Sequence, residues 1–329
     1  MFNLQKLCVV SVVAACGSFA AATWAAAPSS AGYPSKPVKI VIPLGPGNSL
    51  EISTRLLAER IGVTLGQPFL IETQPGAAGQ IGTERVARSP ADGYTLLVAN
   101  DGVITMLPNL QKKVPFDSVR DFAPITRMVG IPFALVVHPS VSAHTAEELV
   151  GLARAAPKKL EYSSGGVGSA QQLVMELFMR ATRTELVHVP YKGAPQAATD
   201  LVAGHIPAAF AGVPIVAEPI KQGKLRALGI ASAERLPLLA DVPTLIEQGI
   251  ALRFATWGGL FAPAGTPAEI IRSLNRATLG ALAAPEIRTK LSELGFEIYS
   301  DSPEEFSRII RADLARIADV VREAGIERQ

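Results

Sequence analysis

The chain has 329 residues, with 31 Lys plus Arg against 29 Asp plus Glu, two cysteines, and 48% hydrophobic against 18% charged residues. Low charge with high apolar content excludes a disordered chain, and the near-zero charge balance excludes the basic surplus of a nucleic-acid binder. The length admits two ordinary domains.

The first 27 residues read as a secretory leader: Lys6 near the amino terminus, an apolar run from Leu7 to Val13, then a small-residue zone from Ala20 to Ala27. The run is too short for the roughly 20 apolar residues that a bilayer span needs. Cleavage between Ala25 and Ala27 removes one Lys and both cysteines, leaving 30 basic and 29 acidic residues (31 − 1 and 29), net +1. The mature chain is then expected to have no disulfide and no cysteine metal site. Val13-Ala14-Ala15-Cys16 also resembles a bacterial lipobox, so a lipid anchor through Cys16 stays open beside simple release into the periplasm.

After the leader, short apolar runs alternate with helix-length amphipathic stretches. Strands are predicted at Lys39 to Pro43, Phe69 to Glu72, Tyr94 to Val98, Ala134 to His138, Leu186 to Val189 and Ala208 to Phe210. The first intervening helix carries Ile52, Leu56, Leu57 and Ile61 at three- and four-residue spacing. Such alternation predicts an α/β fold with parallel sheets, here two of them with the chain crossing more than once. Pro124, Gly130 and Pro132 read as punctuation before the Ala134 strand. Thr266 before Pro267, and Ser302 before Pro303, read as helix N-caps. In the last helix Phe306, Ile309, Ile310, Asp313 and Ile317 form an apolar stripe with one polar break, and no function is assigned to it.

The familiar catalytic and nucleotide motifs are missing. Gly45-Pro46-Gly47 lies between a strand and a helix, but Leu50 stands where a dinucleotide loop needs its third Gly. The four histidines are scattered, so the reading assigns no metal and no cofactor. Three strand-to-helix loops remain. Leu44, Gly45, Gly47, Asn48 and Ser49 precede a helix that Asn48 or Ser49 caps. Ser164, Gly165, Gly168 and Ser169 precede a second, with Gln172 in its first turn. Tyr191 and Lys192 precede a third. Exposed amides at helix N-termini attract anions.

These residues resemble the solute-binding proteins of tripartite tricarboxylate transporters, the Bug or TctC family. The likeness runs through Tyr33-Pro34-Ser35-Lys36-Pro37, Pro43 to Gly47, Gln74-Pro75-Gly76-Ala77-Ala78-Gly79, Ala91 to Leu97, Asp121 to Pro124, Val189 to Gly193, Asp241 to Thr244, and Leu260 to Pro267. It implies a periplasmic-binding-protein type II fold, with 28–131 and 251–329 in one lobe and 132–250 in the other. It further implies a monomer, not an enzyme, that closes on a small carboxylate and passes it to a membrane permease. The ligand set it implies is Leu44, Gly45, Gly47, Asn48, Ser49 and Asn100, with Asp101 as an addition, facing Ser164, Gly165, Gly168, Ser169, Gln172 and Tyr191.

The chain departs from that family's pattern at three places. Asn48 replaces a second Gly, with Leu50-Glu51 following in place of a Thr-Asp pair, and is expected to donate to a ligand oxygen. Ala211 replaces an Asp, which points to a carboxylate without a required ammonium group. Gly258 replaces a large aromatic and is expected to widen the pocket. A sensory module docking on a receptor, and a hydrolase built on Ser169 or Ser164 with His188, remain as alternative readings.

Overall fold

The computed structural model describes residues 32–323; the expected leader with Cys8 and Cys16 lies outside them. The chain begins with β1 (Val38–Ile42), α1 (Ser49–Leu65), β2 (Phe69–Thr73), α2 (Gln80–Ala87), β3 (Thr95–Asn100) and the short α3 (Leu107–Leu110). A long strand, β4 (Phe122–Val137), leads to α4 (Ala146–Ala155), β5 (Glu161–Ser164), α5 (Ala170–Thr182), β6 (Val187–Pro190), α6 (Ala194–Val202), β7 (Ala208–Gly212), α7 (Val213–Lys221) and β8 (Arg226–Ile230). The chain returns through β9 (Ala255–Pro263), α8 (Ala268–Ala283), α9 (Pro285–Glu293), β10 (Glu297–Ile298) and α10 (Pro303–Glu323).

The strands follow one path, β2-β1-β3-β9-β4-β7-β5-β6, with β8 and β10 also paired to β4. Where strand and helix alternate, the pairs are parallel: β1 with β2 and β3, and β5 with β6 and β7. The expectation of wholly parallel sheets is corrected in the middle, where β4 and β9 run antiparallel to each other and to their neighbours. The sheets are also joined rather than separate. β4 pairs with β9 and β10 up to Pro132, and from Phe133 onward with β7 and β8.

Pro124, Gly130 and Pro132 therefore lie inside a strand and do not punctuate one. Proline lacks the amide a regular ladder needs. β4 accommodates Pro124 with a register shift before Thr126, and a second shift falls between Arg127 and Val129. Among the described strands, β4, β8, β9 and β10 pair only with segments distant in sequence.

Local signals set the helix ends. Asn48 caps α1 by accepting the Glu51 amide at 3.1 Å, and Gly66 closes it in the left-handed region with φ 73°. Ser302 caps α10 reciprocally: its hydroxyl accepts the Glu305 amide and the Glu305 carboxylate accepts the Ser302 amide, each at 3.1 Å. Thr266 is not the cap of α8. Its hydroxyl turns back to the Pro263 carbonyl at 2.7 Å, and Pro267 occupies the capping position. The α10 stripe is buried at Phe306, Ile310 and Ile317, with Phe306 edge-on to Trp257 at 5.1 Å between ring centres. Asp313 is no mere break in that stripe, because it accepts the Trp257 indole N–H at 2.8 Å. Among the described residues, no helix is long and apolar enough to cross a membrane.

Candidate functional site

Parallel strands end at the same edge of a sheet, so the loops that follow them converge. Here the loops after β1, β2, β3, β5 and β6 surround a cavity of about 800 Å³. A Cβ on Gly45 would stand 3.8 Å from the Lys192 carbonyl oxygen, and one on Gly47 3.8 Å from Pro195. The loops after β1 and β6 thus meet across the cavity.

The loop after β1 is fixed from within. Asn48 is buried; its side-chain oxygen caps α1 while its Nδ2 donates to the Gly45 carbonyl at 2.6 Å. One of the two Asn48 Nδ2 hydrogens thus shapes the loop. The Gly47 amide, at a residue with φ 76°, donates to Glu51 Oε2 at 2.7 Å, and Arg55 Nε donates to Glu51 Oε1 at 3.1 Å. Burial pushes the Glu51 carboxyl up, but the Gly47 amide and the Arg55 guanidinium outweigh it and hold it below the usual range.

The loop after β5 repeats this design without a charge. Ser169 caps α5, and Gln172 Oε1 accepts the Gly168 amide at 2.8 Å. Ser164 Oγ accepts the Gly166 amide at 3.1 Å and lies 2.6 Å from His188 Nε2. His188 stacks on Tyr162 with ring centres 5.0 Å apart, and burial lowers its pKa, which favours the neutral ring. The serine–histidine contact of the hydrolase reading is thus formed at Ser164 and not at Ser169. Ser164 is fully buried and does not line the cavity. Tyr191 gives its hydroxyl to Asp200 at 2.9 Å and so lines the cavity with its proton already committed elsewhere.

Of the twelve residues expected in the site, Leu44, Gly45, Asn48, Asn100, Gly165, Gly168, Ser169 and Tyr191 line the cavity. Gly47, Ser49, Ser164 and Gln172 do not; three of these four make the bonds that hold the loops. Asp101, the expected addition, is buried with its carboxylate accepting the Gly102 amide at 2.9 Å. Gly258 does not widen the cavity, since Leu50 occupies the space before it.

Sequence reasoning missed Gly76 to Gln80, Gln111, Gln171 and Pro195 as lining residues. The loop Gln74 to Gly79 carries only the resemblance in the sequence, yet its backbone is specialised. Ala77 and Ala78 have φ 47° and 54°, a conformation that non-glycine residues adopt at a cost. A Cβ on Gly79 would stand 2.8 Å from Val103 Cγ2 and 3.3 Å from the Pro43 carbonyl oxygen, so only glycine lets this loop approach β1.

Among the described residues, Lys192 is the sole charged one lining the cavity, and no Asp or Glu lines it. Glycine-rich loops, side-chain amides and two helix N-termini give a surface that favours an anion, while Pro43, Leu44, Val103 and Val167 provide apolar contact.

Residues 53–326 match the model of the tripartite tricarboxylate transporter family receptor. The chain is 33% identical over 317 residues to Protein BugT of Bordetella pertussis, an alignment covering 95% of this chain and 97% of that one. Among solved structures it resembles R. palustris Rpa4515 with adipate, at 32% identity, TM-score 0.86, and coverage of 89% and 98%. It also resembles MatC of Rhodopseudomonas palustris with bound malate, at 29% identity, TM-score 0.84, and coverage of 88% and 100%.

Proposed function

Since the chain belongs to the tripartite tricarboxylate transporter receptor family of solute-binding proteins, we propose that it captures a small carboxylate in the cavity described above and delivers it to that transporter's membrane permease. The carrying observation is a cavity walled by amide-rich loops and one lysine, with no acidic residue lining it among the described residues. A dicarboxylate, a tricarboxylate or an aromatic acid suits this wall, because oriented amides satisfy carboxylate oxygens while the apolar residues cover the carbon skeleton. Relatives with bound adipate and malate support that class.

The proposal places 28–131 and 251–329 in one lobe and 132–250 in the other, a division supported by the change of β4 partners at Phe133. It places the mature protein in the periplasm as a monomer, or held at the membrane through Cys16. Of the twelve expected residues, the eight that line the cavity are its proposed ligand contacts.

Native mass spectrometry of the gently purified protein, with a melting screen of mono- and dicarboxylates, tests this reading. The expected result is a co-purified or stabilising carboxylate. Stabilisation by amino acids alone would overturn the preference for a ligand without an ammonium group.

A further inference from the structure

Side chains alternate between the two faces of a strand, and the faces of β5 meet different surroundings. On one face Tyr162 stacks on His188. Ser163, the next residue, turns to the other, level with its partner in register, Ala209 of β7. Both line a chamber that α6 and Ile215 of α7 close from above.

The chamber is small, and its wall is mostly methyl groups: Ala197 and Ala198 of α6 with Ala209 and Ala211 of β7. About 10 Å³ lies open in it, room for one water-sized group, against about 800 Å³ in the main cavity. Ser163 is 1% exposed, and its Oγ has no hydrogen-bond partner among the described residues. Ser164 borders the same space, but its hydroxyl is already engaged by His188 and by the Gly166 carbonyl. A buried hydroxyl left unpaired is costly, and methyl groups cannot pair it.

The chamber adjoins the ligand cavity. Gln171 and Ala194 line both spaces and so form the partition between them. Gly165 lets that partition draw close: a Cβ there would stand 3.0 Å from the Ala194 amide nitrogen and 3.4 Å from Gln171 Oε1. Among the described residues, no hydrogen bond holds the Gln171 side chain, so it can turn aside.

We propose that this chamber is a subsite for a single hydroxyl group of the ligand, with Ser163 as the residue that selects it and Gln171 as the movable wall. The protein then favours a hydroxycarboxylate over the same acid without its hydroxyl. Size excludes a carbon chain or a second carboxylate from the chamber. A hydroxyl both donates and accepts, as the serine hydroxyl does. An ammonium group would be buried there without a counter-charge, because no Asp or Glu lines the chamber among the described residues. The inference rests on the carboxylate reading, since the remainder of the acid lies in the main cavity.

Calorimetric titration of malate and succinate, which differ by one hydroxyl, into the wild type, Ser163→Ala and Ala198→Val tests the subsite. The corresponding neutral diamides and aspartate serve as further ligands. The wild type should bind malate about tenfold more tightly than succinate, and both variants should lose most of that preference, one by removing the hydroxyl and the other by filling the chamber. Without ligand, Ser163→Ala should melt no lower than the wild type, because no bond within the protein is lost. A lower melting point would assign the hydroxyl to the fold and overturn the subsite. It would also be overturned by a wild type without the malate preference, by a preference that survives in Ser163→Ala, or by a Ser163-dependent preference for aspartate over malate. Equal losses for malate and succinate would assign Ser163 to a trapped water and overturn it as well. If the diamides alone bind, with a Ser163-dependent preference for the hydroxylated one, the carboxylate reading falls and the subsite stands. If none of these ligands binds, both fall.

Discussion

Leu50 fills the space that Gly258 leaves: a Cβ at position 258 would overlap Leu50 Cδ2 and stand 3.3 Å from Val129 Cγ2. Leu50 belongs to the first turn of α1 and Gly258 to β9, so the two residues bring the helix behind the binding loop against the central antiparallel pair. Leu50 is 1% exposed, which makes this contact part of the core.

Gly258→Ala should therefore destabilise the fold by about 1–3 kcal/mol through overpacking, and Leu50→Ala by about 2–5 kcal/mol through an unfilled space. Urea unfolding of both single variants and the double variant checks the pair. The double variant should be more stable than the sum of the single losses predicts, because each change relieves the defect of the other.

Glu51→Gln should weaken the first loop at neutral pH by removing the charge that receives the Gly47 amide and Arg55. Because the folded carboxyl sits below its usual range, its stabilising contribution is full above the unfolded pKa and is lost as pH falls through the folded value. The stability gap between wild type and Glu51→Gln should thus narrow in acid. Thermal melts from neutral pH to about pH 3 read the trend, and a gap that widened in acid would contradict it.

Ser169→Ala removes the α5 cap and should cost about 1 kcal/mol of stability. Since Ser169 lines the cavity, the variant should also reduce a carboxylate's melting shift. Ser164→Ala should cost a comparable or larger amount, about 1–3 kcal/mol, by stripping a buried partner from His188 and the Gly166 amide. Carboxylate-ester turnover lost in Ser164→Ala, whose hydroxyl is the one that meets His188, would revive the hydrolase reading.

Ala211 lies beside a small space shared with Ser163, Ser164 and Gln171, and the Ser163 hydroxyl is buried without a hydrogen-bond partner. Ala211→Asp should place a poorly solvated carboxylate there, costing about 1–3 kcal/mol. It should also shift a melting screen toward ligands carrying an ammonium group. An unchanged ligand ranking would show that position 211 does not read ligand charge.

Much of the site was legible because its signals are local. Glycines and serines between an apolar run and an amphipathic stretch mark a capped helix facing a strand end, whatever the rest of the chain does. That logic located the loops at Leu44 to Ser49 and Ser164 to Ser169. It could not tell which amides face outward, since the partners that claim them, Glu51 and Gln172, are identified only once the backbone is set. The loop at Gly76 to Gln80 escaped because its value lies in unusual backbone angles and in closeness to Val103.

The sequence by itself determined the α/β class, the main strand-to-helix loops, a cap at Asn48 or Ser49, the cap at Ser302, and an anion-friendly composition free of catalytic motifs. Each follows from residues within a few positions of one another, where propensity and hydrogen-bonding chemistry act directly. Only the tertiary structure decided that Pro124 and Pro132 lie within a strand, that Leu50 closes the gap at Gly258, and that Asn109 donates to the Leu314 carbonyl on α10. Those outcomes depend on segments separated by more than a hundred residues, with pairing and burial energies that appear only when the chain has folded back on itself.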